Sequence, residues 1–462
     1  MWKNHIIRLY VIIMSIKYTL AKLIYDSLKS TYPVSLKDIH IDKSKEQKYG
    51  DYSTNLALIL SCKLKKTPIE TAQIIISNLN LNKILEKCEY NNLGFINFYL
   101  KKEILLDNVN EILEKNNNYG KSTMGNLKKI NITTIDTNKN ISSSNISKNL
   151  NGIIYNDNLA RIFNYLGYDV IKEYYIKNQD KNNLSNISSE LDKYRINFDI
   201  YTTEQSLYTD YVVDNVLSKI KYSDACYIDD NNLMLKTTSY EDNKDRILIK
   251  SDGTYTDLSI ALAYNLGKIN QNYQKIINII AEEDYLDGLN KSLESLNKNN
   301  KIIYTKKIKA LDTNINLSKN TNDINFINTI RYALASVNNK KQNLDEIIKN
   351  QEYDYSYIES TYIKIIKLLK INNKISKSIT IDDNLTYTIL NKLSEFVDTV
   401  ITCKETLSPD LLCDYIYKLS KLTNLYLEKN TPNSEKIYLL QAIKIILNNA
   451  LNLIGIIPKE EI

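Results

Sequence analysis

The chain has 462 residues, of which 43% are hydrophobic and 25% charged, an ordinary composition for a globular protein. This length allows about two to four domains and a large buried core. The formal net charge of +6 is compatible with a polyanionic partner such as RNA, but it is too small to demand one. Five cysteines without a CxxC pair, and only two histidines, argue against a structural metal centre and fit a reducing, cytoplasmic setting. The scarcity of histidine also argues against most nucleophilic triads and metal-dependent hydrolysis.

An apolar run opens the chain between Ile6 and Ile16. It is shorter than the roughly 20 residues that a membrane-spanning helix needs. Arg8 interrupts the run and no small-residue cleavage site follows it, which argues against a signal peptide. We therefore expect an upstream extension, with the first domain starting near Met14. No other segment approaches transmembrane length, so a membrane partner is not expected.

The first predicted unit is a compact α+β domain over residues 14–118. Apolar residues recur at helical spacing from Ser15 to Leu28. The run Thr67-Pro68-Ile69-Glu70 has the pattern of a capping box with proline in the first helical position, so it predicts the start of a second helix. Residues Glu89–Leu100 alternate between polar and apolar and predict a strand.

A polar linker at Asn116–Asn126 leads into an alternation of strands and helices. Such alternation is typical of an α/β core with a parallel sheet, which we place at residues 128–340. Asp180–Asn186 and Asn297–Asn300 are predicted to be polar loops. The predicted strands of this core are Lys129–Ile135, Val170–Tyr175, Ile247–Ile249 and Ile276–Ala281, and the predicted helices are Asp157–Leu166 and Leu258–Lys268.

After Asn328 the pattern is helical to the end of the sequence. Apolar residues recur every three or four positions, which predicts a helical bundle over residues 345–462. The predicted helical stretches include Tyr362–Leu369, Leu390–Val400, Leu411–Leu427 and Ile437–Leu453. The predicted fold class is therefore a multi-domain α/β protein with an N-terminal α+β domain, a parallel-sheet core and a C-terminal all-α bundle.

Several short motifs, taken in order, resemble those of arginyl-tRNA synthetases. They are Gly50-Asp51-Tyr52-Ser53-Thr54-Asn55-Leu56-Ala57, Gly94-Phe95-Ile96-Asn97-Phe98, Asp157-Asn158-Leu159-Ala160-Arg161, Gly167-Tyr168-Asp169-Val170, Ser251-Asp252-Gly253-Thr254-Tyr255-Thr256 and Leu453-Ile454-Gly455-Ile456. The resemblance covers nearly the whole chain. It implies a domain that contacts the tRNA elbow, then a class I, Rossmann-type catalytic domain, then an anticodon-binding bundle.

The family's first signature, HxGH, has no histidine in this chain. Counted back without gaps from Asp157, it falls on Ile146-Ser147-Lys148-Asn149. A second alignment matches Ser143–Lys148 to the family variant SPNIAK, with a deletion around Asn151. Either way both imidazoles are lost, which in the family stabilise the phosphates of ATP in the transition state. Lys148 is left to supply charge, as a mobile point charge rather than a fixed donor.

The family's second signature, KMSK, is partly kept as Asn316-Leu317-Ser318-Lys319. In the family the lysines of this loop neutralise the phosphate oxygens of ATP. The alignment is anchored by Arg331-Tyr332, which resembles the family's DAxRY. The resemblance therefore implies Ser318, Lys319 and Lys148 as the candidate catalytic residues.

The arginine pocket of the family is also altered here. The resemblance implies that Asn140, Asp257 and Tyr264 bind the substrate. Asp257 and Ala261 stand where a tyrosine and an aspartate of the family hold the substrate arginine. A buried guanidinium without its carboxylate partner costs about 3–5 kcal/mol, although Asp257 could restore the charge from another position. The acidic run Ala281-Glu282-Glu283-Asp284 replaces the family's GADH, and we expect it to weaken ATP binding.

The resemblance also implies tRNA contacts in the first domain. The candidate residues are Asp51, Tyr52, Asn55, Phe95 and Asn97. Asp51 and Asn55 are equally compatible with capping the helix that follows them. The tyrosine-rich run Tyr353–Tyr362 could stack on anticodon bases, but we interpret it as the start of a helix.

Three functional hypotheses follow. The first is a catalytically impaired relative of the synthetases that keeps binding of tRNA or a tRNA-like molecule, or serves an unidentified partner protein. The second is an active arginine–tRNA ligase that uses ATP and Mg²⁺, with Lys148, Lys319 and backbone amides in place of the imidazoles. The third is a protein-interaction scaffold without an RNA role. We favour the first because both signatures and the arginine pocket are altered together; DNA is not an expected partner.

Overall fold

The structure is a computed structural model. It describes residues 15–44, 46–79, 84–136, 143–177, 184–269, 271–280, 288–296, 303–308, 323–336, 355–371, 379–429 and 434–460. Within them, three sheets organise the chain: a four-stranded antiparallel sheet, a five-stranded parallel sheet and a three-stranded antiparallel sheet.

The first unit is a four-stranded sheet with strand order β1-β2-β4-β3, covered by helices. The predicted capping box is confirmed, because Thr67 Oγ1 accepts from the Glu70 amide at 3.2 Å and Glu70 Oε2 accepts from the Thr67 amide at 2.8 Å. The single predicted strand Glu89–Leu100 is wrong, since two antiparallel strands form there. The Asn91 side chain accepts from the amides of Leu93 and Phe95, both at 3.0 Å, and so makes the turn between them. The elements are α1 Ile16–Leu28, β1 Asp42–Lys43, β2 Tyr52–Thr54, α2 Leu56–Leu64, α3 Pro68–Asn78, β3 Leu85–Tyr90, β4 Ile96–Leu100 and α4 Lys102–Lys115.

The predicted parallel sheet is confirmed. Its strand order is β12-β11-β5-β6-β7, and each neighbouring pair is parallel. The central strand β5 is buried at every position after Lys129, as expected for a strand with helices on both faces. The helix predicted from Asp157 begins earlier, at Ser143. The sequence did not indicate this start because the first turns are rich in serine and asparagine and carry no apolar period. The elements are β5 Lys129–Asp136, α5 Ser143–Tyr165, β6 Asp169–Ile176, α6 Leu184–Asp192, β7 Ile200–Thr203, β11 Lys275–Ile280 and β12 Ile303–Lys307.

A small antiparallel sheet with strand order β10-β9-β8 is inserted between β7 and β11. The strand predicted at Ile247–Ile249 forms, but it lies in this insertion and not in the parallel sheet. The hairpin turn between β8 and β9 has positive φ at Asp230 (44°) and Asn231 (62°), the conformation that favours a tight two-residue connection. The elements are α7 Glu204–Thr209, α8 Val212–Lys221, β8 Cys226–Asp229, β9 Asn232–Leu235, β10 Arg246–Ile249 and α9 Asp257–Ile269, followed after β11 by α10 Leu289–Leu296.

The C-terminal bundle is helical, as predicted. The predicted helix Leu390–Val400 is in fact two helices that meet at Glu395, and this break lets both Leu393 and Phe396 enter the core with no exposed surface. The polar loop predicted at Asp180–Asn186 is wrong from Leu184 onward, because α6 begins there and buries Ile187 and Leu191. The elements are α11 Ile324–Ser336, α12 Tyr355–Ile371, α13 Asn384–Ser394, α14 Phe396–Thr406, α15 Asp410–Lys429 and α16 Ser434–Leu453.

The first unit and the bundle share one hydrophobic core. Leu20 and Phe98 from the first unit and Phe396 and Ile443 from the bundle belong to the same buried cluster. The parallel sheet has apolar clusters on both faces, with Ile132 and Tyr174 on the face covered by α5 and Ile135 and Tyr175 on the face covered by α9. In the part of the chain that the structure describes, no helix is both long and apolar enough to cross a bilayer.

Candidate functional site

The strand order of the parallel sheet reverses next to its central strand, β5. The chain builds β5, β6 and β7 outward on one side, then returns to place β11 and β12 on the other. In sheets of this kind ligands bind in the crevice outside the carboxyl ends of the strands where the order reverses. Here that point lies beyond Asp136, the last residue of β5, and Ile280, the last residue of β11. This crevice is the candidate site.

Polar side chains are fixed at the carboxyl ends of three neighbouring strands. Asp136 is fully buried and accepts a hydrogen bond from Tyr174 Oη at 2.7 Å. Lys177, which follows β6, forms an ion pair with Asp257 at 2.8 Å. Glu204 begins α7 directly after β7 and is 9% exposed. The parallel register brings these groups to one edge of the sheet.

This edge is acidic. Burial raises the pKa of the Tyr208 hydroxyl, and the negative charges of Glu204, Asp257 and Asp214 raise it further. Tyr255 stacks against Tyr208 with ring centroids 6.4 Å apart and donates its hydroxyl to Asp214 at 2.5 Å. That hydrogen bond, together with burial, raises the pKa of Tyr255 to about 12. We call Glu204, Asp214 and Asp257 the acidic edge; its charge suits a cationic ligand and opposes a phosphate.

Tyr264 lies beneath the sheet and not at this edge. Its side chain is 4% exposed. Its hydroxyl donates to Glu173 Oε1 at 2.7 Å and accepts from Lys268 Nζ at 2.6 Å. Asp257, in contrast, has a side chain that is 71% exposed. Tyr264 already has protein partners for its hydroxyl group, and substrate binding by Asp257 and Tyr264 stays a prediction.

Tyr264 belongs to a buried polar network centred on the ion pair between Lys268 and Glu173, whose charged atoms are 2.7 Å apart. The ammonium of Lys268 also donates to Asn131 at 2.9 Å and to Thr133 at 2.6 Å, both on β5. Burial lowers the pKa of Lys268 to about 8, although the negative charge of Glu173 raises it. Burial alone would raise the pKa of Glu173, but Lys268 and the hydrogen-bond donors lower it. The pair is therefore charged at neutral pH, and it ties α9 to β5 and β6 under the candidate site.

In comparisons with known proteins, two family models match the ends of the chain, and whole proteins match nearly its full length. Residues 17–100 match the model of the arginyl tRNA synthetase N-terminal domain, and residues 330–462 match the DALR anticodon-binding domain. The arginine–tRNA ligase of Oceanobacillus iheyensis is 25% identical over 527 aligned residues, which cover 92% of this chain and 94% of that protein. A Staphylococcus epidermidis arginine–tRNA ligase is 25% identical over 562 residues, covering 97% and 99%.

The chain belongs to the arginyl-tRNA synthetase family. Its fold agrees with solved structures of that family. The Thermus thermophilus arginyl-tRNA synthetase has a TM-score of 0.79 and 15% identity, with 96% of this chain and 100% of that chain covered. The Plasmodium falciparum enzyme has a TM-score of 0.78 and 16% identity, with 97% and 99% covered.

The family's two signature segments fall at the crevice or outside the described residues. Both alignments of the HxGH segment place it in the first turns of α5, the helix that follows β5, but the side chain of Lys148 is outside the described part of the chain. Asn140, Ser318, Lys319 and the acidic run at 281–284 also lie outside the described residues.

The described residues at the edge do not fit the triphosphate of ATP. Lys177 is neutralised by Asp257, and Lys307, which ends β12 beside Ile280, also interacts with another group. Glu204 and Asp214 of the acidic edge would repel phosphate oxygens. Among the described residues there is no cluster of three or more His, Cys, Asp or Glu side chains able to hold a metal ion.

Other motif residues of the family join the parallel-sheet unit to the bundle. Arg331 is fully buried, and its guanidinium contacts Asp157 at 2.5 Å, the Tyr194 carbonyl at 2.9 Å and the Ile454 carbonyl at 3.1 Å. A Cβ on Gly455, where φ is +69°, would lie 1.8 Å from this guanidinium. Only glycine therefore fits beside Arg331, and these motif residues hold the units together.

Asp157 is shared by further cations. Arg161 Nε lies 2.8 Å and Lys172 Nζ 3.0 Å from its carboxylate, which is 2% exposed. Burial alone would raise the pKa of Asp157, but the charges of Arg331, Arg161 and Lys172 hold it well below its usual range. We call Asp157, Arg161, Lys172 and Arg331 the ion hub. It connects α5, β6 and α11 in one buried cluster.

The candidate tRNA residues of the first unit have mostly structural surroundings. Asp51 is 3% exposed; one carboxylate oxygen accepts from the Leu100 amide at 2.8 Å and the other from Tyr387 Oη at 2.8 Å and Asn391 Nδ2 at 2.5 Å. Tyr52 is fully buried. Asp51 joins β4 to helix α13 of the bundle and does not cap α2, so the capping interpretation is wrong, whereas its contact with tRNA stays a prediction.

The remaining candidates differ in exposure. Asn97 is 8% exposed, whereas Asn55 and Phe95 are partly exposed. Asn55 occupies the N-cap position of α2, but its side chain makes no capping hydrogen bond. Asn55 and Phe95 thus keep accessible surface for a ligand, and Asn97 has little.

Asp398 gives the junction between the first unit and the bundle a pH dependence. Its carboxylate is 6% exposed and accepts the hydroxyl of Ser15, the N-cap residue of α1. Burial raises the pKa of Asp398 to about 6, although the Ser15 hydrogen bond and the charges of Lys17 and Lys43 lower it. Because this folded-state pKa lies above the ordinary value of 3.8, ionisation destabilises the fold above about pH 6, and the penalty disappears as pH falls toward 4.

We therefore expect Asp398→Asn to raise the free energy of unfolding by about 1–2 kcal/mol at pH 7.5 and by about a third of that at pH 4.5. Urea unfolding of parent and variant at both pH values measures this. Asp383→Asn is the control of opposite sign, because hydrogen bonds from Thr386 and Leu385 lower the pKa of Asp383 although burial opposes them. An equal gain for Asp398→Asn at both pH values would contradict the expectation.

Proposed function

We propose that this member of the arginyl-tRNA synthetase family binds tRNA but is impaired in forming arginyl-adenylate. The observation that carries the proposal is the charge of the crevice. The chain has no histidine near the segment that aligns with HxGH. Among the described residues around the crevice carboxylates outnumber lysines: they are Asp136, Glu204, Asp214 and Asp257 against Lys177 and Lys307. Adenylate formation needs fixed positive groups on the phosphates of ATP. Lys148 and Lys319 are the residues left to provide them, and we propose that they do so poorly.

The tRNA-binding part of the proposal is supported by the two matched domains. One is described as an arginyl tRNA synthetase N-terminal domain and the other as an anticodon-binding domain. We assign the elbow-contacting unit to residues 14–118, the catalytic-like unit to residues 128–340 and the anticodon-binding unit to residues 345–462. All five cysteines are free thiols, which fits a cytoplasmic location.

An active arginine–tRNA ligase is the second candidate, and one observation favours it. Asp257 is neutralised by Lys177, but Glu204 and Asp214 of the acidic edge would supply the charge missing at Ala261 from other positions. The guanidinium of arginine is the cation that such carboxylates bind best among amino-acid side chains. In this reading ATP and Mg²⁺ are required, and Lys319 and Lys148 act on the phosphates.

An arginine-charging assay separates these two functions. The purified chain is incubated with total tRNA of the source organism, arginine, ATP and Mg²⁺, and the Staphylococcus epidermidis arginine–tRNA ligase serves as the positive control. We expect charging at least about 1,000-fold slower than the control, since catalysis loses about 10²–10³ for each fixed donor removed from the transition state. Charging at a comparable rate that Lys319→Ala abolishes would overturn the impaired reading.

Binding of tRNA is measured on the same preparation. Fluorescence anisotropy with labelled tRNA should give an affinity that falls steeply with salt, because phosphate contacts release counterions. Absence of salt-dependent binding from a folded preparation would remove tRNA from the proposal and leave the scaffold hypothesis.

A further inference from the structure

A cavity lies where the first unit meets the bundle, apart from the crevice. Its empty space is about 500 Å³ counted with its open mouth, so the enclosed part suits a molecule of only a few non-hydrogen atoms. Residues of α1, β4 and α4 form one wall, and Ser394 and Val397, on either side of the helix break at Glu395, contribute to the other. Most of the lining is aliphatic, from Ile16, Ile84, Leu100, Ile104 and Val397. A mostly apolar pocket between two units, with a few polar groups, is the usual form of a small-molecule site.

One side chain that lines this cavity has an unused hydrogen-bond donor. Asn108 on α4 is 8% exposed, and its Oδ1 accepts the hydroxyl of Tyr119, another lining residue, at 2.6 Å. The Nδ2 of Asn108 is buried and has no hydrogen-bond partner within the described part of the chain. A buried amide donor without an acceptor costs free energy, which an oxygen atom of a ligand would recover. Asn108 therefore marks a place for an acceptor oxygen.

The described residues that line the cavity are uncharged. Besides Asn108 and Tyr119, its polar lining residues carry aliphatic hydroxyl groups, at Ser15, Thr19 and Ser394. A hydroxyl oxygen can accept a hydrogen bond from a ligand while its own hydrogen is donated elsewhere. Behind the lining, the carboxylate that accepts the Ser15 hydroxyl, Asp398, has a second oxygen without a partner and would repel an anion. Because burying an ion without a partner is costly, a neutral ligand suits this cavity.

We propose that the cavity between the first unit and the bundle binds a small neutral aliphatic alcohol. The hydrocarbon part packs against the aliphatic lining, the oxygen accepts from Asn108 Nδ2, and the hydroxyl hydrogen is donated to one of the hydroxyl oxygens in the wall. Because residues of both units form the cavity, the ligand binds only their docked arrangement and stabilises the junction by mass action. The site does not depend on whether the chain binds tRNA or forms arginyl-adenylate.

The test is a titration of the full chain with isobutanol, followed by the methyl NMR signals of its isoleucines. The signals of Ile84 and Ile104, assigned with Ile84→Val and Ile104→Val, should shift and saturate with a Kd on the order of 10 mM, as expected for a ligand of a few atoms. Ile277 is fully buried in the parallel sheet, and its signal should not move. Shifts that grow without saturation, or that are equal at Ile277, would show a general solvent effect and overturn the site.

Two variants of the Asn108–Tyr119 pair test the donor. Asn108→Leu keeps the volume of the side chain and removes the free donor, so it should raise the Kd for isobutanol about tenfold. Tyr119→Phe is the matched control, because it removes the same hydrogen bond between the two residues but leaves Asn108 Nδ2 in place; its Kd should stay within about twofold of the parent value. Equal weakening by both variants would overturn the assignment of Asn108 as the donor.

A larger side chain in the wall tests the location. Val397→Phe places a ring in the cavity and should abolish the saturable shifts while the chain stays folded, with an unchanged or higher melting temperature because empty space is filled. Ile104→Phe fills the same cavity from the opposite wall, which keeps the test available if one variant does not fold. A folded filled variant that binds isobutanol with the Kd of the parent would place the alcohol elsewhere and overturn the site.

Discussion

Asp157→Asn is expected to lower the free energy of unfolding by about 3–5 kcal/mol, because it leaves three cations of the ion hub without their shared anion. Arg331 is the most affected, since its guanidinium is fully buried and Asp157 lies 2.5 Å away. Asparagine keeps the shape of the side chain, so the loss measures charge and not a cavity. Urea unfolding at pH 7.5 followed by circular dichroism measures it.

A surface pair provides the control for this prediction. Asp414 forms an ion pair with Lys418 at 2.7 Å, and both side chains are more than half exposed. Asp414→Asn is the same chemical change at an exposed site, where ion pairs contribute about 0–1 kcal/mol. Because the pKa of Asp157 is held below its usual range, its contribution is present above the ordinary value of 3.8 and declines as pH falls further. An Asp157→Asn deficit no larger than that of Asp414→Asn would show that the ion hub does not stabilise the fold.

The second large effect is expected at Glu173. Glu173→Gln leaves the Lys268 ammonium beneath the sheet without a counter-charge, and we expect a loss of about 3–5 kcal/mol in the free energy of unfolding. Burial already lowers the pKa of Lys268 to about 8. Removing the carboxylate lowers it further, so the folded variant favours the neutral amine. Its stability should therefore rise with pH from neutral toward the ordinary lysine value of 10.5, as the unfolded chain also loses its proton.

A double substitution tests whether the orphaned charge is the cause. Glu173→Gln/Lys268→Met removes both charges and should recover most of the loss, since replacing a whole buried pair by groups of similar volume is often nearly neutral. Parent, single and double variants are compared by urea unfolding at pH 7 and pH 9.5. A double variant as unstable as Glu173→Gln would show that packing, and not charge, sets the effect.

The sequence indicated the sheet and the bundle well, because both depend on apolar periodicity. The central strand β5 is a continuous buried run, and the bundle helices repeat every three or four residues. Two elements escaped this signal. The start of α5 has no apolar period, and the strand at Ile247–Ile249 was assigned to the wrong sheet because pairing depends on the hairpin turn at Asp230 and Asn231.

The candidate site was less accessible to sequence reasoning. Motif residues such as Asp51 and Tyr264 resembled ligand contacts, yet their partners are other side chains distant in sequence, at Asn391 and Glu173. Conversely, Glu204 and Asp214 were not singled out, although a carboxylate directly after a strand, as at Glu204, is a usable signal for the carboxyl edge of a parallel sheet. What could not be read from the sequence was which polar groups satisfy one another, since that depends on the packing of whole units.

The junction between the first unit and the bundle can form only late in translation. The hydroxyl of Ser15 meets its carboxylate partner 383 residues later, and Asp51 meets Asn391 340 residues later. A ribosome therefore exposes the first unit while the face of α4 that packs against α13 and α16 is still uncovered, and the helices that cover it appear only when the bundle has been translated. At about 5–20 residues per second this interval lasts on the order of 20–80 seconds. During that time the emerging chain is an expected client of chaperones that shield apolar surface.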